Sequence, residues 1–441
     1  MGDLFELLSS NVVDAGEPAA RLAPPDRLQF ELAIDRWIRA FGMENTAVGL
    51  IDINGFSELL ARNGQQYANA LLCGVAARIS EVFRDDRIVG RIGMDTFGVV
   101  GHLEEVTHRR LKDVKRNPFL IAGQKNMISV SIGIAQGKEC DGTGHALLLA
   151  ATLAMKSAKV KGYGGHAYYS HEMGLAARRR SELMGLLHAA VQGRDMYLAF
   201  QPQLALPPVG LAAIPVGVEA LLRWRLSTGE MVPPDVFLPL AEQSGLATSL
   251  GYQVISMALE TEQRLRAQGF AGLRMAVNVS VPQFRDSAFA DTVRQAMTDS
   301  GCSPDALELE ITESVAGLGE EHLIDVLKEL QALGVSIAID DFGTGYSSLA
   351  YINRLPADRL KIDKSFVNSL GVAGPEACIA KTIIGMGHAL GLTVLAEGVE
   401  TEAQLLALQG IGCDEVQGFY FAKPMVEQDL VAWLREQLRT G

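Results

Sequence analysis

The sequence contains few cysteines, and their spacing argues against two common kinds of structural site. There are five in 441 residues, an odd number, and no two of them form a CxxC pair. Disulfide frameworks use paired cysteines in oxidising compartments, and structural zinc sites use closely spaced ligands. We therefore interpret the cysteines as buried thiols in a reducing compartment: Cys73, Cys140, Cys302, Cys378 and Cys413.

Positive charge is also scarce. The chain has 39 Lys and Arg against 52 Asp and Glu, a formal net charge of −13 and a pI near 5.2. Proteins that bind duplex nucleic acid normally present a basic surface, so the composition argues against a nucleic-acid polymer as the partner. An acidic protein that handles a phosphate ester needs bound metal or a local group of Arg and Lys to offset the repulsion.

Long apolar runs are missing as well. The longest extends from Ala146 to Met155, far short of the roughly 20 residues that cross a bilayer. The N-terminus lacks the basic segment followed by an apolar segment that is typical of a signal peptide. Glu6 stands where a myristoylation motif needs Ser or Thr. We therefore expect a cytoplasmic protein without a membrane span.

The sequence is rich in hydrophobic residues, which make up 48% of the chain and are enough to form large buried cores. In the first part, strand-like and helix-like segments alternate, which predicts a sheet covered by helices. A helical pattern then precedes a second domain. The expected divisions are an N-terminal tail over residues 1–25, an α/β domain over 26–170, a linker helix over 171–183 and a second domain over 184–441.

The pattern of the second domain predicts a (β/α) barrel similar to a TIM barrel. Eight strand-like runs alternate with amphipathic segments over about 250 residues. Polar residues gather where these runs end, and the carboxyl ends of barrel strands meet on one face. We expect the following side chains to lie together: Glu219, Asn278, Glu310 with Glu313, Asp340 with Asp341, Lys361, Glu397 with Glu400, and Gln417.

The most informative stretch is Ser336–Ser348. An apolar strand core ends in two adjacent carboxylates, Asp340 and Asp341, and continues into a loop that contains Gly343 and Gly345. Several carboxylates around an amide and a lysine are not a stable core unless cations neutralise them. Oxygen ligands without histidine or cysteine favour Mg²⁺ or Mn²⁺ over zinc, and a pair of such ions is suited to phosphoester cleavage.

Seven segments of the second domain, taken together, carry a specific family resemblance. They are Glu219–Trp224, Val277–Ser280, Glu310–Glu313, Asp340–Gly345, Lys361–Asp363, Ala396–Thr401 and Gln417–Phe421. In this order they resemble the full motif set of EAL-domain cyclic di-GMP phosphodiesterases. The resemblance implies a hydrolase that opens cyclic di-GMP to linear pGpG with two Mg²⁺ or Mn²⁺ ions. It also implies a homodimer formed through this domain.

The same resemblance implies metal-ligand and catalytic roles. Its expected metal ligands are Glu219, Asn278, Glu310, Asp340, Asp341 and Glu397, with Asp340 shared by both ions. The expected catalytic groups are Lys361, Glu397 and Asp341. Lys361 would orient the attacking water or assist its deprotonation, which needs a lysine pKa lowered by adjacent cations.

Further residues would bind substrate or support the site. The expected substrate contacts are Gln201, Leu222, Arg223, Asn278 and Gln417, with Arg223 on a phosphate oxygen. The expected supporting residues are Glu313, Glu400, Gly343 and Gly345.

The first domain resembles a different family, the GGDEF domains of diguanylate cyclases. The landmarks are Leu50–Phe56, Arg91–Phe97, Val130–Ala135 and Ala154–Lys159. Its signature loop departs from the family pattern and reads Gly93, Met94, Asp95, Thr96 and Phe97.

Other positions of this domain depart from the pattern as well. The guanine-contacting positions fall on Leu60 and Asn69, and the product-inhibition pattern falls on Arg84–Arg87 with its Asp replaced. Asp52 and Asp95 remain where the family keeps metal ligands. We expect a degenerate domain that makes no cyclic dinucleotide and has a regulatory or dimerising role.

Two other functions stay open for the second domain. It could be a receptor that holds cyclic di-GMP without cleaving it, although a receptor has no need of a complete set of metal ligands. It could also be an interaction scaffold that binds no nucleotide.

Overall fold

The computed structural model of the protein divides into two compact units, Met1–Ser181 and Glu182–Gly441. Two features singled out above, the Arg84–Arg87 segment and Gly345, lie outside the described residues. The described residues are 25–83, 88–121, 123–140, 142–160, 162, 164–193, 195–207, 213–313, 321–343, 354–370 and 375–440.

The first unit contains a five-stranded sheet in the order β2-β3-β1-β6-β7. Every residue of β1 is buried, as expected for a central strand that is covered on both faces. β1 is antiparallel to β3 and β6, and β2 and β3 form an antiparallel hairpin. The strands of this unit are β1 (Thr46–Ile53), β2 (Ile88–Arg91), β3 (Thr96–His102), β4 (Phe119–Ile121), β5 (Gln124–Asn126), β6 (Val130–Gln136) and β7 (His166–Tyr168).

The helices of this unit begin where the sequence provides caps and apolar periodicity. Asp26 caps the first helix, because its Oδ1 accepts a hydrogen bond from the Gln29 N–H at 2.9 Å. Gly133 lies so close to the fourth helix that an added Cβ would be 2.2 Å from the Met155 nitrogen. The helices are α1 (Arg27–Phe41), α2 (Phe56–Val82), α3 (His108–Asp113), α4 (Gly144–Val160) and α5 (His171–Gln192).

Helix α5 extends past residue 183, where the linker helix was expected to end. The unit boundary between Ser181 and Glu182 falls within it. In the part of the chain that the structure describes, no helix is both long enough and apolar enough to cross a membrane. Cys302 and Cys413 are buried thiols as expected, but the expectation was wrong for Cys73, which is exposed on α2, and for Cys140, which is only partly buried.

The second unit is the predicted barrel of eight strands. Its first strand, β8, is antiparallel to both β9 and β16 and so closes the barrel. The other seven barrel strands, β9 and β11 to β16, run parallel to one another. The strands are β8 (Met196–Ala205), β9 (Ile214–Arg225), β11 (Arg274–Asn278), β12 (Leu307–Thr312), β13 (Ser336–Phe342), β14 (Arg359–Ile362), β15 (Thr393–Ala396) and β16 (Glu415–Val416); a short β10 (Met231–Val232) is added outside β9.

Helices surround the barrel and cover the outward faces of its strands. Outward apolar residues such as Val277, Leu309 and Ile339 are fully buried in this layer, which frees the inward positions for polar side chains. The helices are α6 (Pro234–Gln243), α7 (Ala247–Ala267), α8 (Val281–Phe284), α9 (Phe289–Ser300), α10 (Glu321–Ala332), α11 (Lys364–Asn368), α12 (Pro375–Ala389), α13 (Glu402–Gly410) and α14 (Glu427–Thr440).

Candidate active site

Inward-facing side chains toward the carboxyl ends of the barrel strands place four carboxylates around one ammonium group. The Lys361 Nζ lies 2.7 Å from Glu310 Oε2, 2.8 Å from Glu397 Oε1, 3.1 Å from Asp340 Oδ1 and 3.9 Å from Glu219 Oε1. The Lys361 side chain is fully buried. Five residues from separate segments therefore meet at one point, as the strand-end pattern predicts.

Amide side chains fix the Glu219 carboxylate from two sides. Asn278 Nδ2 donates to Glu219 Oε1 at 2.8 Å, and Gln417 Nε2 donates to Glu219 Oε2 at 2.6 Å. Gln417 Nε2 also donates to Gln201 Oε1 at 3.1 Å. Gln201 in turn donates to the carbonyl oxygen of Ala422 at 3.1 Å. The orientation of Glu219 is thus set by hydrogen bonds from side chains on and beside the neighbouring strands.

Asp341 joins this cluster because the backbone departs from regular strand geometry. In a regular strand Asp340 and Asp341 would point to opposite faces. Asp341 instead has a φ of +53°, which is uncommon for a residue with a side chain, and the pairing of β13 with β14 shifts between Ile339 and Phe342. As a result, oxygen atoms of Asp340, Asp341 and Glu397 all lie within 4.8 Å of one another.

Glu313 contacts the loop that follows β13, as expected for a supporting residue. Its Oε2 accepts a hydrogen bond from the Gly343 N–H at 2.9 Å. Gly343 has a φ of +99°, and an added Cβ would lie 2.6 Å from a ring carbon of Phe366. Glu400 is exposed before α13, where its backbone N–H donates to Gln404 Oε1 at 2.8 Å. Its supporting role stays a prediction.

Leu222 and Arg223 lie on β9 beyond Glu219. Arg223 Nη1 donates to the Leu222 carbonyl oxygen at 2.9 Å. Within the described ranges, the Arg223 guanidinium has no carboxylate at salt-bridge distance, and burial lowers its pKa. Its guanidinium therefore retains donors that an anionic ligand could use.

Burial and crowding of charge shift the pKa values of the cluster. Burial lowers the pKa of Lys361, but the surrounding carboxylates outweigh this and hold it well above the usual range. Burial raises the pKa of Glu310 well above normal and that of Glu397 to about 8. The lowered lysine pKa expected from the sequence depends on adjacent cations, and the carboxylates alone shift it in the opposite direction.

Sequence reasoning missed a second polar layer inside the barrel. Three charged residues each lie two positions before a residue of the cluster, and side chains two apart on a strand share a face. A fourth, Arg274, lies four positions before Asn278 on β11. The regular spacing between these residues and the cluster indicates that they share its inward face. The other three are Glu308 before Glu310, Arg359 before Lys361 and Glu415 before Gln417.

The acidic residues of the first unit are arranged differently from those of the barrel. Asp52 is buried. The Lys159 ammonium lies 2.6 Å from its Oδ1, and Thr96 Oγ1 donates a hydrogen bond to its Oδ2 at 2.9 Å. Burial and the charge of Asp52 raise the pKa of Asp95. Side chains of this chain thus already neutralise the Asp52 carboxylate.

The remaining loop positions of the first unit are distributed as follows. Met94 is largely exposed, whereas Phe97 is buried in the core. Leu60 packs against the same core, and Asn69 is exposed on α2. Gly93 begins the turn between β2 and β3, where its N–H donates to the Thr96 carbonyl oxygen.

Comparison with known families gives two matches in sequence order. The family described as "Diguanylate cyclase, GGDEF domain" matches residues 25–164, and the family described as "EAL domain" matches residues 186–424. The EAL match covers more than half of the chain.

Two curated relatives come from Pseudomonas aeruginosa. "Bifunctional diguanylate cyclase/cyclic di-GMP phosphodiesterase MucR" is 37% identical over 417 residues, which is 93% of this chain and 60% of that protein. "Cyclic di-GMP phosphodiesterase NbdA" is 34% identical over 398 residues, which is 88% of this chain and 50% of that protein. This chain therefore spans about half of the length of such relatives.

Solved structures resemble the chain as well. "PaMucR Phosphodiesterase, c-di-GMP complex" shares 40% identity with a TM-score of 0.54, covering 56% of this chain and 99% of that one. "Structure of EAL Enzyme Bd1971 - cAMP and cyclic-di-GMP bound form" shares 27% identity with a TM-score of 0.55, covering 70% of this chain and 82% of that one.

Proposed function

Because the chain belongs to the EAL domain family, with a GGDEF domain ahead of the EAL domain, we propose that it is a metal-dependent phosphodiesterase that hydrolyses cyclic di-GMP to linear pGpG. The observation that carries this proposal is the meeting of Glu219, Glu310, Asp340 and Glu397 around Lys361 at the strand ends of the barrel. The relatives and solved structures that act on or hold cyclic di-GMP support it.

The residues fit a pair of hard divalent cations such as Mg²⁺ or Mn²⁺. The donors are carboxylate and amide oxygens, and Glu310 Oε1 is buried with no hydrogen-bond partner among the described residues. Two such cations would neutralise the cluster and lower the pKa of a water molecule between them. We assign the first to Glu219, Asn278, Glu310 and Asp340, and the second to Asp340, Asp341 and Glu397.

The remaining side chains would bind and orient the substrate and the water. Arg223 donates to a phosphate oxygen, and Leu222 packs beside the ligand. Gln201 on β8 and Gln417 just after the neighbouring β16 present amide groups beside each other. With cations bound to its carboxylate partners, Lys361 would have an N–H to donate to the attacking water and would orient it toward phosphorus. Glu397 and Asp341 hold the position of that water from the other side.

The affinity for Mg²⁺ should rise with pH up to about 8. Burial raises the pKa of Glu397 to about 8, so this carboxyl group holds a proton below that pH and must release it before it can bind a cation. We expect about a tenfold gain in affinity per pH unit for each proton released, between about pH 6 and pH 8. Calorimetric titrations in buffers of different ionisation enthalpy would count the protons. An affinity that does not change with pH would contradict this.

A receptor and an enzyme give different results with the same ligand. Incubation of the chain with cyclic di-GMP and Mg²⁺ or Mn²⁺ should yield pGpG, separated by chromatography. Binding without any product would favour the receptor. An unchanged melting temperature on addition of cyclic di-GMP with Ca²⁺ would favour a scaffold that binds no nucleotide.

We also propose that the GGDEF domain is degenerate and regulatory or dimerising. The altered loop positions Met94 and Thr96 and the altered guanine-contacting positions Leu60 and Asn69 support this assignment. Incubation of the full chain with GTP and Mg²⁺ should therefore yield no cyclic di-GMP. The Asp340→Asn variant is suited to this assay, because it should not degrade any product. Clear synthesis of cyclic di-GMP would contradict the assignment.

A homodimer through the EAL domain is a further part of the proposal. It depends on the resemblance of the loop from Asp341 to Ser348 to a loop that the family links to dimerisation. The Glu313 contact to Gly343 would connect that loop to the metal site. Residues 344–350 lie outside the described residues, so this part depends on the resemblance.

A further inference from the structure

Beneath the candidate metal site, four charged side chains form a closed ring inside the barrel. Glu308 Oε2 lies 2.7 Å from Arg359 Nε and 3.2 Å from Arg274 Nε. Glu415 Oε2 lies 2.7 Å from Arg359 Nη1 and 2.7 Å from Arg274 Nη2. Each charge thus has two opposite neighbours, and the ring is neutral as a whole. We call Arg274, Glu308, Arg359 and Glu415 the ionic ring.

The ionic ring occupies space that a barrel normally fills with branched apolar side chains. Glu308 is fully buried and Arg359 is 8% exposed. Replacing a buried ion pair by well-packed apolar residues is often neutral or stabilising. Stability alone therefore gives no reason for a buried ring of this kind.

Small residues on neighbouring strands make room for the ionic ring. Gly217 on β9 lies two positions before Glu219, and an added Cβ would be 2.8 Å from Gln203 Oε1. That oxygen accepts a hydrogen bond from Arg274 Nη2 at 3.2 Å. On β13, which lies between β12 and β14, the inward position paired with Arg359 is Ala338. The Arg359 side chain can therefore reach Glu308 across β13.

The ring members lie on the strands that lead to the metal site. Two ion pairs join β14 to β12 across the intervening β13. Arg359 pairs with Glu308 in the ring, and Lys361 pairs with Glu310 in the layer next to it. Arg274 and Glu415 likewise precede Asn278 and Gln417 on their own strands. A shift of one strand relative to another would stretch the ring and displace the ligand above it.

We propose that the ionic ring positions the metal ligands, so that metal affinity depends on it. This inference rests on the proposed function. The ring members touch no cation or substrate themselves and act through Glu310, Lys361, Asn278 and Gln417. They correspond to the outer partners that orient metal ligands in other metal sites.

The test is a neutral double substitution, Glu308→Leu with Arg359→Met, which leaves the Arg274 and Glu415 pair in place. We expect a melting temperature near that of the wild type without added metal. The affinity for Mg²⁺, measured by calorimetry, should fall about 10- to 100-fold. The kcat should fall at low Mg²⁺ and partly recover at high Mg²⁺, with little change in KM.

A control variant removes another Glu–Arg ion pair, a partly exposed one within a single helix away from the ring. Glu262 and Arg266 on α7 lie 3.6 Å apart, and the Glu262 side chain is 7% exposed. Glu262→Leu with Arg266→Met should leave the Mg²⁺ affinity unchanged. A ring variant that folds and binds Mg²⁺ as tightly as the wild type would overturn the inference.

If the double substitution does not fold, a second variant tests whether Mg²⁺ affinity depends on the ionic ring. Arg359→Lys keeps the charge but cannot present the planar fork that reaches both Glu308 and Glu415. It should weaken Mg²⁺ binding in the same direction, and an unchanged affinity would overturn the inference. Wild-type chain that binds no Mg²⁺ and cleaves no cyclic di-GMP would overturn the proposed function, and this inference with it.

Discussion

The Asp340→Asn variant should hydrolyse cyclic di-GMP at least about a thousandfold more slowly than the wild type. The substitution removes one negative charge at the position assigned to both cations. A loss of about 4 kcal/mol of transition-state stabilisation corresponds to this factor. Rates at saturating substrate and Mg²⁺, with product separated by chromatography, would measure it.

The fold of this variant should remain intact, because Asn has nearly the same shape as Asp. An Asn oxygen can still accept hydrogen bonds from Lys361 Nζ and from the Asp341 N–H, as Asp340 Oδ1 does at 3.1 and 2.9 Å. Asp358→Asn is the matched control, since Asp358 Oδ2 accepts from the Ile337 N–H before β14, away from the cluster. Its rate should stay close to that of the wild type. An Asp340→Asn enzyme within about tenfold of the wild-type rate would contradict the proposal.

The Lys361→Met variant should lose about 3–5 kcal/mol of unfolding free energy when divalent cations are removed. The ammonium of Lys361 is shared by four carboxylates in a buried site, and its removal leaves them without a counter-ion. Added Mg²⁺ should restore part of the stability, because a cation can replace the lost charge. Hydrolysis should be abolished with or without this recovery. Denaturant unfolding in EDTA and in Mg²⁺ would test both statements.

The loss of stability in Lys361→Met should grow as pH rises. In the wild type burial raises the pKa of Glu397 to about 8 even though the Lys361 charge lowers it, so in the variant this carboxyl group keeps its proton to a higher pH. Above about pH 8 the wild-type group is ionised in both the folded and the unfolded state, whereas the folded variant still holds the proton and goes on losing stability as pH rises. Lys364→Met, at an exposed position on α11, is the control and should change stability little. A Lys361→Met protein that gains no more stability from Mg²⁺ than the wild type would contradict this account.

The barrel and the meeting of its strand ends could be predicted because both follow from local pattern. Glu310 and Lys361 lie near the ends of strands with apolar neighbours, and parallel strands in a barrel have their carboxyl ends on one face. Glu219 joins them although its strand, β9, continues to Arg225. The expected place of Asp341 in the cluster is confirmed, but regular strand geometry does not explain it. Strand alternation places it on the face opposite Asp340, and a positive φ with a shift in register overrides that rule.

The ionic ring was missed for a different reason. A Glu or Arg near the start of a strand is usually solvent-exposed, so the two-residue spacing alone does not show that these side chains lie inside the barrel. Glu308 and Glu310 alternate within one strand and look equivalent in sequence, yet one partners two arginines and the other partners Lys361. The direction of the Lys361 pKa shift was also beyond the sequence, because it depends on distances to four carboxylates.

The most direct test of the central claim is anomalous X-ray scattering from crystals of the chain grown with Mn²⁺. The account predicts two strong peaks in the barrel, the first bound by oxygen atoms of Glu219, Asn278, Glu310 and Asp340 and the second next to Asp341 and Glu397. The absence of Mn²⁺ from this cluster at saturating concentration, or peaks only elsewhere, would contradict it.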